Sequence, residues 1–209
     1  PKEMLKTTLL AIKKVSYKHN SILCSEGNDD ELEQFCLENE IRFVPRFETT
    51  DAKAGNINNG LKYSEADICV VLDPDHKPFP NFLDEILPYF EDANIGFVQV
   101  VQSYFNQNES LIASAAAEQT YSFYGPIMIG MNGKGTAQAI GANCTFRRKA
   151  LESIGGHAAG LTEDMHASML LHAKGWKSVY IPKVLSKGQV PSSFSGFYKQ
   201  SPNDRWLPT

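Results

Sequence analysis

Apolar residues recur along this chain in two alternating rhythms. Leu5, Leu9 and Ile12 stand at helical spacing and predict an opening helix. Ser21-Ile22-Leu23-Cys24 reads as a short strand, residues 31–37 as a helix, and Ile41-Arg42-Phe43-Val44 as a strand ended by Pro45. A helix over 52–61 leads into Ile68-Cys69-Val70-Val71-Leu72, an apolar run that predicts a strand buried on both faces. Next come a helix with Pro80 in its first turn, a strand over 95–101 and a helix over 111–121. Gly125 to Gly135 reads as a glycine-rich loop. The last third predicts a helix over 163–173, a strand over 178–181 and a loop rich in Ser, Pro and Gly. Strands alternating with helices predict parallel βαβ units in one α/β domain over residues 1–209, without an internal repeat.

The bulk properties narrow the function classes. With 209 residues, 42% of them hydrophobic and 21% charged, the chain can bury one sizeable core. A net charge of −4 gives no support for a general nucleic-acid binder, which needs a basic surface. The longest candidate for a membrane span, Phe123 to Met131, is too short and contains Gly125, Pro126 and Gly130. Pro1-Lys2-Glu3 opens directly into an amphipathic pattern, so no signal peptide is expected. Cys24, Cys36, Cys69 and Cys144 form no Cys-x-x-Cys pair, and their spacing predicts reduced thiols in a reducing compartment. There the sequons at Asn108 and Asn143 would carry no meaning.

Candidate chemistry concentrates at four places. The apolar strand ends in Asp73-Pro74-Asp75-His76, which puts two carboxylates where open α/β sheets bind ligands. Carboxylate oxygens suit a hard divalent cation, although an ordinary strand-closing turn explains the same residues. In Ala52-Lys53-Ala54-Gly55-Asn56, Lys53 near a helix start suits a phosphate, against the plainer reading of a solvated surface charge. In Thr162-Glu163-Asp164, a threonine cap followed by two acids suits a helix start, and Asp164 equally suits a general base. Near the end, Trp206 offers a flat face to a sugar and Arg205 a cation to a diphosphate. Gly133-Lys134 fails as a phosphate loop, since Met128 stands at the first glycine position and Gly135 follows the lysine.

Taken in order, these segments, with Val98-Gln99, Gly141 to Arg148 and Gly175 to Tyr180, resemble the catalytic domain of family 2 glycosyltransferases, in the cellulose synthase-like branch. The resemblance implies a GT-A, Rossmann-like fold: a mostly parallel sheet flanked by helices, here with the first strand missing and both ends cut from a longer chain. It implies inverting transfer of a sugar from a nucleotide diphosphate donor such as UDP-glucose to a growing β-linked polysaccharide. Asp73 and Asp75 would bind Mg2+ or Mn2+, and Glu26, Lys53, Asp73 and His76 the nucleotide sugar. Asp164 would be the base, and Gln200, Arg205 and Trp206 would meet the glycan acceptor. Flanking segments would hold the domain at the cytoplasmic face of a membrane. Two departures stand out: Ser25-Glu26-Gly27 replaces the family's Asp-Asp-Gly, and Gln200 to Trp206 is two residues longer than its Gln-x-x-Arg-Trp. They motivate the alternatives of a non-catalytic nucleotide- or glycan-binding domain and of a non-processive transferase. An Asp-x-Asp phosphatase is a weaker rival, because Lys77 stands where such enzymes place Thr or Val.

Overall fold

The opening helix forms where its leucines predict it: α1 (Lys2–Lys13) buries Leu9 against Cys36 and Ile41. The computed structural model describes residues 2–160 and 162–200, with side chains as far as Phe197. After α1 come β1 (Ile22–Glu26), α2 (Asp30–Glu38), β2 (Arg42–Arg46) and α3 (Ala52–Leu61). Asp29 caps α2 by accepting from Leu32 N, and Asp30, Glu31 and Glu33 in the first turn complement the helix dipole. β1 and β2 pair in parallel, with Ser25 opposite Pro45. Pro45 therefore lies inside the strand instead of ending it. β2 is paired only with β1 among the described residues, and an edge strand tolerates a residue that cannot donate.

The rest of the chain builds a second sheet. In order it contains β3 (Ile68–Val71), β4 (Lys77–Pro78), α4 (Phe82–Ile86), a 3-10 turn (Leu87–Glu91), β5 (Ile95–Val100), α5 (Leu111–Ser122), a π turn (Phe123–Ile127) and α6 (Met128–Asn132). There follow β6 (Cys144–Arg147), α7 (Arg148–Ser153), α8 (Glu163–Ala173), β7 (Lys177–Ile181), β8 (Ser186–Lys187) and α9 (Phe194–Gln200). The strand order is β3-β6-β5-β7. β6 runs antiparallel to both β3 and β5, whereas β5 and β7 are parallel. Thus β3, β5 and β7 point one way and β6 alone is reversed. β4 and β8 form a short antiparallel ribbon beside this sheet. The β1-β2 pair and the four-stranded sheet share no ladder bonds, and β1 and β3 each keep one unpaired edge among the described residues.

That open edge changes the expectation for β3, whose four residues are half-buried and not fully buried. Its faces are nonetheless covered: Ile68, Val70 and Leu72 pack on Phe82, Ile86 and Val98, while Val71 packs on the side of Phe97 and Phe146. β5 is the fully buried strand, at every one of its positions. The predicted loop from Gly125 to Gly135 is mostly helical. Only Gly125 leaves helical backbone inside the π turn (φ −78°, ψ −105°), and Tyr124 and Met128 are buried against Ala137 and Tyr180. Apolar packing there outweighs the glycine content. Pro80 precedes Asn81, the N-cap of α4, so it sits just outside the helix and not in its first turn.

Candidate active site

The chain leaves β3 in a tight turn closed by His76 N donating to Asp73 O at 3.0 Å. The turn reading holds, and the same turn gathers carboxylate and imidazole ligand atoms of Asp73, Asp75 and His76 within 4.8 Å of one another, a group that could hold a metal ion. Asp75 is held on both sides: Oδ1 lies 3.0 Å from His76 Nδ1, and Oδ2 accepts from Gln189 N at 3.0 Å. Burial pushes its carboxyl pKa up, but the His76 bond and charge and the Gln189 N–H outweigh it, so the net shift is downward. His76 is 4% exposed and rests on Asp75, with Nε2 buried and without a partner among the described residues. The chain passes this ring at Gly188, where a Cβ would come within 2.4 Å of it.

Lys53, in the first turn of α3, is no solvated surface charge. Its Nζ lies 2.6 Å from Asp73 Oδ1 and donates to Gly141 O at 2.7 Å. The backbone enters α3 through left-handed Asp51 (φ 61°) and Ala52 (φ 40°), an arrangement held by the buried Arg46. The Arg46 guanidinium donates to Thr50 O at 2.7 Å, Ala52 O at 2.8 Å and Glu26 Oε1 at 2.9 Å. Glu26 is thus engaged with Arg46. Gly55 is required by close approach, since a Cβ there would lie 2.2 Å from Thr50 O and 2.3 Å from Arg46 Nη1. The close neighbour is the chain itself.

Gly141 joins the two halves of the site. It has φ +55°, and a Cβ on it would lie 3.1 Å from Asp164 Oδ2 and 3.4 Å from Lys53 Nζ. Buried Gln99 on β5 fixes this segment: its Nε2 donates to Val100 O and Ala142 O, and its Oε1 accepts from Ile140 N at 2.9 Å. Asp164 is the second residue of α8. Thr162 occupies the N-cap and Glu163 and Asp164 fill the first turn, as the cap reading expects, although the Thr162 side chain makes no capping bond. Asp164 Oδ1 lies 3.3 Å from Nε2 of the buried His157. Ser168 Oγ anchors this turn of α8, donating to Asp164 O and accepting from Ala139 N, both at 2.8 Å.

A cleft of about 270 Å³ opens beside the Asp73-His76 turn, with Gln102, Tyr104, Gln119, Thr120 and Gln189 supplying its polar lining. A second cavity of about 480 Å³ also borders Asp75, between Met4, Pro74 and residues 189–193. The sequence reading missed these cleft residues, and it missed His157. Isolated Gln, Tyr and Thr carry no local spacing signal, and only the fold brings them to the dyad. Of the predicted acceptor residues, the Gln200 side chain, Arg205 and Trp206 lie outside the described side chains and residues. Among the described residues no helix is long and apolar enough to cross a membrane.

The fold has counterparts. The chain shares its fold with a mannosyltransferase from Pyrobaculum calidifontis solved with GDP-mannose and Mn2+ (TM-score 0.70, 18% identity, 92% of this chain and 55% of that one). It shares it also with glucosyl-3-phosphoglycerate synthase from Mycobacterium tuberculosis solved with Mn2+, UDP-glucose and phosphoglyceric acid (TM-score 0.61, 15% identity, 89% and 68%). The fold is therefore GT-A, with a central sheet flanked by helices. In sequence it is 37% identical over 162 residues to a UDP-forming cellulose synthase catalytic subunit of Dictyostelium discoideum, covering 74% of this chain and 15% of that protein. It is 29% identical over 209 residues to the UDP-forming cellulose synthase catalytic subunit of Xanthomonas axonopodis pv. citri, covering 96% and 29%. The chain thus spans less than a third of the length of either relative. The family model described as "Glycosyltransferase like family 2" matches from residue 2 to residue 208, and with the dyad, the lysine and the acid at α8 all inside that match, the chain belongs to this glycosyltransferase family.

Proposed function

We propose that this domain transfers a sugar, with inversion, from a nucleotide diphosphate donor such as UDP-glucose to a growing β-linked polysaccharide. The observation that carries the reading is the juxtaposition at Gly141: Lys53 and Asp164 flank one Cα, and Lys53 reaches back to Asp73. A cation beside the Asp dyad and a carboxylate a few ångströms away can serve leaving group and nucleophile within one site. Asp164 accepts the proton of the acceptor hydroxyl as its oxygen attacks the anomeric carbon on the face opposite the diphosphate.

The two carboxylates and imidazole of Asp73, Asp75 and His76 form a mixed oxygen and nitrogen donor set that fits Mn2+, with Mg2+ as the harder alternative. The orphaned buried Nε2 of His76 supports that fit. When bound, the ion neutralises charge developing on the leaving diphosphate. Lys53 adds a second positive charge, and Asp75, clasped by His76 and Gln189 N, stays ionised and fixed in direction. Glu26 acts on the donor through Arg46, by fixing the loop that delivers Lys53. Gln200, Arg205 and Trp206 would complete the acceptor side, and the relatives' greater length agrees with further segments that seat the domain at the cytoplasmic face of a membrane.

The test is Asp164→Asn in the native full-length protein, assayed with UDP-glucose and Mn2+. Transfer is expected to vanish while UDP affinity by calorimetry stays within about twofold. Unchanged turnover removes Asp164 as base. The commitment of Glu26 to Arg46 favours one second reading, a domain that binds nucleotide without transfer. UDP binding without turnover in the unmutated protein would establish that instead.

A further inference from the structure

We propose that His157 is a positioning residue for Asp164, fixing one carboxylate oxygen so that the other faces the acceptor hydroxyl; this rests on Asp164 being the base. The His157 side chain is fully buried, and its Nε2 lies 3.3 Å from Asp164 Oδ1. The two are off line for a hydrogen bond, so among the described residues Nε2 has no aligned partner. Catalytic hydrogen bonds commonly tighten only when substrate binds, and a turn of the Asp164 carboxylate would complete this one. Both ring nitrogens face oxygen acceptors, Asp164 Oδ1 and Ala158 O at 3.4 Å. The carboxylate is the closer and the charged one, so alignment with Asp164 would favour the tautomer that carries the proton on Nε2 over the one that donates from Nδ1 to Ala158 O.

The ring itself is immobilised. The Asn58 side-chain amide reads the backbone of residue 157 from both sides: Oδ1 accepts from His157 N at 2.7 Å and Nδ2 donates to His157 O at 2.9 Å. Gly156, at φ +107°, lets the loop approach that amide, since a Cβ there would lie 2.7 Å from Asn58 Oδ1. On its other flank the imidazole packs edge-on to Phe146, with centroids 5.6 Å apart. The clamp and the packing thus hold the ring beside the Asp164 carboxylate. With Oδ1 drawn to His157, Oδ2 stays on the Gly141 side, where Lys53 also arrives.

A merely structural aromatic would be replaced well by phenylalanine, and that separates the two roles. His157→Phe keeps the packing on Phe146 and loses the donor. His157→Gln places an amide nitrogen near the Nε2 position, whereas His157→Asn places it near Nδ1. In the native full-length protein with UDP-glucose and Mn2+, kcat of His157→Phe is expected to fall at least about tenfold with donor KM within about twofold. His157→Gln is expected to recover to within about threefold of the parent and to exceed His157→Asn. If His157→Phe does not fold, the Gln and Asn variants carry the test, and equal rates overturn the proposal. So does a His157→Phe enzyme with kcat within about twofold of the parent, provided Asp164→Asn is dead in the same assay. Turnover by Asp164→Asn overturns the base assignment itself and this inference with it.

Discussion

Lys53 Nζ and Asp73 Oδ1 lie 2.6 Å apart, an ion pair that ties the first turn of α3 to the end of β3. Both side chains are about a third exposed, so the pair itself adds little stability. Its value is positional. Asp73→Asn is expected to weaken Mn2+-dependent UDP binding by at least about tenfold and to lower turnover by about 10²-fold or more. Calorimetry with and without Mn2+ checks this, and an unchanged affinity would remove Asp73 from the site.

Gly141→Ala should separate stability from activity. Alanine at φ +55° costs about 1 kcal/mol of backbone strain, a fall in Tm of about 2–4 °C for a chain of this size. The added methyl also presses on Asp164 Oδ2 at 3.1 Å and Lys53 Nζ at 3.4 Å. Turnover should therefore fall at least about tenfold, more than the melting temperature alone would suggest. Proportionate small losses in both would argue that the two groups are not working together.

Arg46 should matter more to folding than its partner Glu26. The buried guanidinium satisfies Thr50 O and Ala52 O as well as Glu26, whereas Glu26 is 53% exposed. Arg46→Met is expected to cost about 2–3 kcal/mol and Glu26→Gln about 0–1 kcal/mol in denaturant unfolding. Equal costs would mean that the carboxylate, and not the loop carbonyls, is what Arg46 holds.

Stability should fall on mild acidification. Burial lowers the His172 pKa below the ordinary imidazole value, with Nε2 3.0 Å from Ser178 Oγ and the ring against Phe97. As pH falls, the unfolded chain takes up this proton first. The contribution of neutral His172 is thus complete above about pH 6.5 and is lost as pH drops through the lower folded value. Melting curves between pH 8 and pH 5 should decline in the parent and flatten in His172→Asn. Parallel curves would place the titration elsewhere.

The elements legible from sequence were those whose pattern is self-contained. The α3 and α8 helices, with their bounds at Ala52–Leu61 and Glu163–Ala173, follow from local spacing, and so does the strand before Asp73. β6 was not legible: Cys144-Thr145-Phe146-Arg147 is short, and its reversed direction is set by β3 and β5 on either side. The same division holds in the site. Asp73, Asp75, Lys53 and Asp164 were marked by their positions at element ends. His157 was not, because a histidine after two glycines acquires meaning only when Asn58 clamps it from α3, 99 residues away in sequence. Glu26 was legible as an acid near the site, but its commitment to Arg46 depends on the β1-β2 register that sets Glu26 opposite Arg46.

That α3 carries both Lys53 and Asn58 has a mechanical consequence. Ten residues of helix make one stiff rod about 15 Å long, gripping the dyad through one side chain and the loop before α8 through another. A rod gripped twice cannot correct an error at one grip without passing it to the other. Substitutions around Lys53 and around Asn58, though they touch different partners, should therefore be epistatic, and a tilt of α3 would detune departure of the leaving group and attack by the acceptor in the same motion.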